Sequence, residues 1–274
     1  MPRYRATMAG FLIVNPRSGQ GDATRTLVRE AEARAIRVHV LEEGDDVPEL
    51  ARRTEADALG IAGGDGSLAP VAAVALERGL PFVCIPFGTR NHFARDIGLD
   101  RADPVGALDA FVRPEERVID IGHANDRLFL NNVSLGIYAQ LVRRRERHRR
   151  RGDAFARLRA LTILVQNRRP LGITIDGQLI DARVVLVANN AYKLDVFSIG
   201  ERERLDEGRL HLYVPAGLFH RGWVERAAER FEIEATAGRL AAAVDGEPEL
   251  LVTPIDFTIQ ARALRVLLPR PPGE

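Results

Sequence analysis

Residues 61–68 read IAGGDGSL. Gly63, Gly64 and Gly66 surround the single carboxylate of Asp65, and Ser67 adds a hydroxyl. Glycine has no Cβ, so its backbone approaches a ligand closely and takes dihedrals that other residues avoid. The apolar run before this turn reads as a strand. The pattern after it (Leu68, Val71, Ala72, Ala75, Leu76) predicts a helix over 68–78. A helix start offers unpaired N–H groups and a positive dipole end, which together suit phosphate. Asp65, inside that turn, has the charge to hold a metal ion or to orient a phosphate acceptor. A plain strand-to-helix turn also favours Gly and Asp, so the stretch acquires meaning only from its company.

Two loops of similar texture follow other strand-like runs. Residues 9–14 are continuously apolar and end in Asn15-Pro16-Arg17-Ser18-Gly19-Gln20-Gly21, while PFVCIP ends in Phe87-Gly88-Thr89-Arg90-Asn91. Between them lie a helical pattern to about Ala35, a β-like run over 36–41 and a helical pattern over 47–54. Strands alternating with helices predict an α/β domain, a parallel sheet covered on both faces. Ligands bind such sheets outside the carboxyl ends of the strands, where all three loops fall.

The texture changes between Arg113 and Ile121. Beyond it come ERVIDIGHA, RLFLNNVSLG, LGITIDGQLIDARVVLVANN, RLHLYVP, FEIEAT, LAAAVDGEP and IDFTIQARALRVLLP, all β-like. Asp176-Gly177 and Asp245-Gly246 have hairpin-turn composition. One long helical pattern runs over about 138–167. The chain therefore divides near residue 120 into an α/β domain over 1–120, with the C-terminal tail as a candidate completion, and a mainly antiparallel β domain over 121–268.

The 274 residues are 46% hydrophobic and 28% charged, a globular balance. A net charge of +1 excludes a polyanion binder as a whole, so any basic function is local. The one cysteine, Cys84, forbids an internal disulfide and sits in an apolar strand, where packing is its expected role. No apolar run approaches the ~18 residues of a membrane span. The N-terminal MAGFLIV reads as a first strand rather than a leader, and the protein is expected in the cytoplasm.

Taken in order, NPRSGQG, GGDGS, GTRNHFAR and VDGE resemble the bacterial diacylglycerol kinase-like lipid kinases, relatives of the sphingosine kinases. FLNNVSLGIYAQLV (129–142) and LDEGRLHLYVP (205–215) extend the resemblance over nearly the whole chain. It implies a parallel-sheet nucleotide domain followed by an antiparallel β-sandwich, with ATP and Mg²⁺ in the cleft between them and a lipid alcohol as substrate. On this resemblance Asn15, Pro16, Arg17, Ser18 and Gly19 form the nucleotide loop. Gly63, Gly64, Asp65, Gly66 and Ser67 cradle the phosphates with Asp65 near the metal, and Thr89 and Asn91 line the same cleft. Asp245 and Glu247 match the acidic pair that contains the base for the substrate hydroxyl. Phosphoryl transfer asks for such an arrangement, because positioning and charge neutralisation do most of the work. The resemblance also implies a structural Mg²⁺ held by Glu207 and the carbonyls of Arg204 and Arg209, with Asp120 linked through water. Two departures stand out: His92 occupies a position where the family usually has Asp, and Glu207 another.

The run Arg143–Arg151, RRRERHRRR, reads either as a solvated helix face or as an anchor for anionic lipid. In the second case Phe155, Leu158, Leu161, Ile163 and Leu164 form a lipid-facing stripe, and the protein meets its lipid peripherally at a membrane surface. Nucleic acid is not expected, because an aromatic stacking platform is missing. A homodimer is compatible with the sequence. His220 and Trp223 read as packing residues. Two other readings remain open at this stage: a soluble kinase of the NAD kinase group, and a non-catalytic nucleotide- or lipid-binding regulator, which His92 motivates.

Overall fold

The computed structural model describes residues 8–19, 22–136, 170–195, 198–215 and 223–270. The helical pattern over 138–167, with its arginine run and apolar stripe, and His220 lie outside the described residues. The chain forms two compact units, Met1–Asp120 with Arg262–Glu274, and Ile121–Ala261. Residues from Arg262 onward thus group with the first unit, where the sequence reading had carried the second domain to 268.

The first unit alternates β1 (Gly10–Val14), α1 (Asp22–Ala33), β2 (Arg37–Val40), α2 (Val47–Arg53), β3 (Ala58–Gly63), α3 (Asp65–Glu77), β4 (Phe82–Pro86) and the short α4 (His92–Asp96). A 3-10 turn over Gly106–Phe111 precedes β5 (Pro114–Ala124), which leads out of the unit at Asp120. Strands β2, β1, β3 and β4 pair in that order, all parallel. Every residue of β3 and β4 is buried, as continuous apolar strands between two helical layers require. On one face Leu27 and Ala31 of α1 and Leu108 and Phe111 of the 3-10 turn pack with Leu12, Val14, Val83 and Ile85. α3 packs on β3 and α2 on α3. Cys84 is buried in β4, and burial pushes its thiol pKa up, which makes it inert packing.

In the second unit lie β6 (Arg127–Phe129), β7 (Asn132–Gly136), β8 (Ile173–Ile175), β9 (Gln178–Ile180), β10 (Val184–Asn189), β11 (Leu194–Asp195), β12 (Ser198–Ile199) and β13 (Leu210–Pro215). β14 (Trp223–Ala228), β15 (Arg230–Ala235), β16 (Arg239–Val244) and β17 (Glu247–Val252) follow, then β18 (Ile255–Pro269), which returns to the first unit at Arg262 and pairs Val266 with Phe82. One antiparallel sheet runs β14-β13-β10-β7-β16-β17. A second joins β18, β15, β8 and β9, again antiparallel. Alternate residues of both sheets, among them Val133, Leu135, Val187, Leu212, Ala242, Phe231, Ile233 and Phe257, form one buried cluster. The unit is a β-sandwich, and period-two burial is its cause.

Candidate active site

In the first unit the three small-residue loops do meet at the carboxyl ends of β1, β3 and β4. Their contacts are mostly main-chain. The Asn15 N–H donates to the Ala62 carbonyl at 2.9 Å, and that of Phe87 to Gly63 at 3.2 Å. The Gly64 N–H donates to Ser18 Oγ at 3.4 Å. Asn15 Oδ1 accepts from the Arg17 N–H at 3.0 Å, which shapes the first loop as an Asx turn. Such close approach depends on glycine. A Cβ on Gly88 would lie 2.6 Å from Gly64 Cα, and one on Gly19 would lie 2.2 Å from the Phe87 ring. Pro16 and Arg17 border the first loop, and Thr89 stands exposed in the third.

Helix α3 begins three residues earlier than its apolar pattern predicts. Gly64 is the N-cap without a side-chain cap bond, and Asp65, Gly66 and Ser67 form the first turn. The pattern is blind to this turn because Gly and Asp carry no periodic signal, although a carboxylate suits a helix start electrostatically. Ser67 Oγ donates back to the Gly64 carbonyl at 2.7 Å.

Asp65 aims at the third loop. Its Oδ2 accepts from the His92 N–H at 3.0 Å and its Oδ1 from the Phe93 N–H at 2.9 Å, so it caps α4 from another element. Asn91, 4% exposed and in the left-handed region at φ 48°, closes the same loop. Its Nδ2 donates to the Gly88 carbonyl at 2.8 Å and its Oδ1 accepts from the Gly88 N–H at 3.0 Å. The pKa of the partly buried His92 is lowered, chiefly by desolvation; Asp65 opposes this and Arg95 and Arg90 reinforce it. Its ring is therefore neutral at pH 7.

The second unit holds the other candidates. Asp245-Gly246 is a two-residue hairpin turn between β16 and β17, with φ 48° and 89°, the positive pair that Asp and Gly tolerate. The Asp245 carboxylate, 7% exposed, folds back on the entry to β7. Its Oδ2 accepts from the Leu130 N–H at 2.8 Å, and Oδ1 from those of Asn131 and Asn132 at 2.7 and 3.1 Å. Glu247, two residues on, is exposed. Asp176-Gly177 forms the same kind of turn between β8 and β9, but its Oδ1 serves the Glu232 N–H at the surface.

Glu207 Oε2 accepts from the Ala191 N–H at 3.2 Å and lies 3.1 Å from His211 Nε2, while His211 Nδ1 lies 2.7 Å from Glu225 Oε1. The Arg209 carbonyl accepts from the Asn190 N–H, and the Arg204 side chain pairs with Asp206. Asp120 is fully buried in the first unit, its Oδ1 accepting from the Arg262 N–H at 2.7 Å. Among the described residues no three His, Cys, Asp or Glu side chains converge on a metal position. Glu207 and the carbonyls of Arg204 and Arg209 are oxygen donors of the kind Mg²⁺ takes, and no step is derived through a metal there.

Several residues around Asp245 escaped the sequence reading. Arg202, 3% exposed, donates from Nη1 to the carbonyls of Leu130 (2.7 Å) and Asn189 (3.1 Å), and from Nη2 to Asn131 Oδ1 (2.6 Å). Asn189 Nδ2 donates to the Leu130 carbonyl, and Asn132 Nδ2 to the Tyr192 hydroxyl. The only available signal was the Asn-Asn doublet at 131–132 and again at 189–190.

The model of the diacylglycerol kinase catalytic domain matches residues 9–124, which contain all three loops. Residues 9–124 are thus similar to the catalytic domain of that family. Relatives of the chain include an uncharacterized protein of Synechocystis, 31% identical over 159 residues, 52% of this chain and 36% of that protein. A diacylglycerol kinase of Bacillus subtilis is 36% identical over 90 residues, 32% of this chain and 30% of that enzyme. One from Staphylococcus haemolyticus is 32% identical over 140 residues, 47% and 42% of the two chains. The matches thus span well under half of these curated relatives. A crystal structure of a diacylglycerol kinase from Bacillus anthracis superposes with a TM-score of 0.67 at 21% identity, covering 95% of this chain and 97% of that one. The fold is therefore shared over both units. Among the described residues no helix is long and apolar enough to cross a membrane.

Proposed function

We propose that the chain is a lipid kinase, transferring the γ-phosphoryl group of ATP to the hydroxyl of a lipid alcohol such as diacylglycerol or a sphingoid base at a membrane surface. The observation that carries this reading is the set of three loops in a diacylglycerol kinase-family domain, drawn together at the carboxyl ends of β1, β3 and β4. Gly19 and Gly88 let these loops pack closer than any side chain would allow. The uncapped first turn of α3 supplies N–H groups to phosphate oxygens, and Ser18, Ser67 and Thr89 surround it with hydroxyls. Mg²⁺, arriving with the nucleotide, would neutralise phosphate charge there.

The geometry supports a division of labour between the acidic pair. Both oxygens of Asp245 already receive main-chain N–H groups, so Asp245 shapes the turn. We assign the proton of the acceptor hydroxyl to Glu247, which is exposed on the same turn. Asp65 holds the Thr89–Asn91 loop beside the glycine turn through the His92 and Phe93 N–H groups.

The second reading, a nucleotide-binding regulator, is favoured by the neutral imidazole of His92 beside Asp65. Phosphate transfer from labelled ATP with Mg²⁺ to a panel of lipid alcohols in mixed micelles separates the two. Transfer by wild type and its loss in Glu247→Gln support the kinase. Nucleotide binding without transfer, with transfer appearing in His92→Asp, supports the regulator.

A further inference from the structure

We infer that Arg202 is the positioning residue that holds the Asp245-Gly246-Glu247 turn, through Leu130 and Asn131, in the geometry that proton acceptance requires. The inference rests on the kinase reading only for what the turn does.

Arginine is almost never fully buried unless every donor direction is answered. Here the arginine is 3% exposed, its fork spans two carbonyls and an amide oxygen, and its Cζ lies 5.4 Å from the centre of the Tyr192 ring. These acceptors are not scattered. Leu130 and Asn131 are two of the three residues whose N–H groups hold the Asp245 carboxylate. The segment before β7 is therefore gripped from both sides, with a cation on the Leu130 carbonyl and the Asn131 side chain and an anion on their N–H groups. Each grip polarises the peptide groups in the sense that strengthens the other. The Asp245 N–H closes the ring by donating to the Asn132 carbonyl at 2.9 Å.

Arg202 is bonded to the segment that holds the acidic turn, so its loss is expected to act on that turn. Lysine brings the charge without the planar fork.

The test uses the full chain as wild type, Arg202→Met, Arg202→Lys, Glu247→Gln and the Arg202→Met/Glu247→Gln double variant. Phosphate transfer and amide hydrogen exchange are measured on each. Arg202→Met is expected to lower kcat by about 100-fold while the KM for ATP stays within about twofold, the signature of a displaced reacting group. Arg202→Lys recovers roughly tenfold of that loss. The double variant is no slower than Glu247→Gln alone. Unchanged kcat in Arg202→Met, or a full further loss in the double variant, overturns the inference. If wild type transfers phosphate to no alcohol, the kinase reading fails separately and exchange decides. Exchange about tenfold faster at the Leu130–Asn132 amides alone in Arg202→Met supports the positioning role. Unchanged exchange, or acceleration throughout the sandwich, overturns it.

Discussion

The carboxylate of Asp65 accepts the backbone N–H of His92, 27 residues later, at 3.0 Å. With the neighbouring bond to Phe93 it ties the first turn of α3 to the loop after β4. In the α/β unit this one side chain sets the spacing of two phosphate-sized loops.

Replacing Asp65 by alanine leaves two partly buried N–H groups without their charged acceptor. The expected cost is about 2–3 kcal/mol of stability, read as a lower urea midpoint. Asp65→Asn should fall between, because a carboxamide offers one acceptor oxygen.

Gly88→Ala and Gly64→Ala should differ. The first places a Cβ 2.6 Å from Gly64 Cα, backbone against backbone, and is expected to cost about 1–3 kcal/mol as overpacking. The second meets nothing closer than 3.8 Å, so stability should hold while nucleotide affinity falls, because the added methyl stands where phosphate approaches. Thermal melts and calorimetric titration with ATP check the pair.

His92 predicts a pH dependence. Its folded pKa lies below the ordinary 6.5, chiefly through desolvation, so below pH 6.5 the unfolded chain binds the proton that the folded chain resists. Stability from this group is complete above about pH 6.5 and is lost as pH falls from there towards the lower folded value. His92→Gln should shrink the difference in Tm between pH 7.5 and pH 5.5 (round figures chosen to bracket the window) relative to wild type.

Asp245 and Glu247 should separate stability from chemistry. Asp245→Ala orphans three N–H groups at a buried position and is expected to cost about 3–5 kcal/mol. Glu247→Gln, at an exposed position, should change stability by no more than about 0.5 kcal/mol while phosphate transfer slows by about 10²–10⁴-fold. Denaturant titration beside the transfer assay reads both.

Ser134 in β7 is 4% exposed and its hydroxyl has no hydrogen-bond partner among the described residues. Ser134→Ala should therefore stabilise the protein by about 1 kcal/mol. A lower melting temperature in that variant would show that the hydroxyl is satisfied in solution.

Periodicity was enough for an α/β domain followed by a mainly antiparallel β domain, and the resemblance supplied the sandwich. Continuous apolar runs at 58–63 and 82–86 mean strands buried on both faces, and alternation at 230–235 means one face inward. The ordered loops carried the family, because small residues at strand ends are a local requirement that sequence displays directly. Side-chain direction was not local. That Asp65 would turn to the amides of His92 and Phe93 depends on β3 and β4 being neighbours. That Asp245 would be both a hairpin turn and the acceptor of three amides depends on β7 pairing with β16. Arg202 sits in GERER, a stretch that reads as surface. Its burial follows only when Leu130, Asn131 and Asn189, separated by up to 72 positions from it, are folded around one guanidinium. A sequence displays which residues can bond, and only the packed chain decides which of them water no longer reaches.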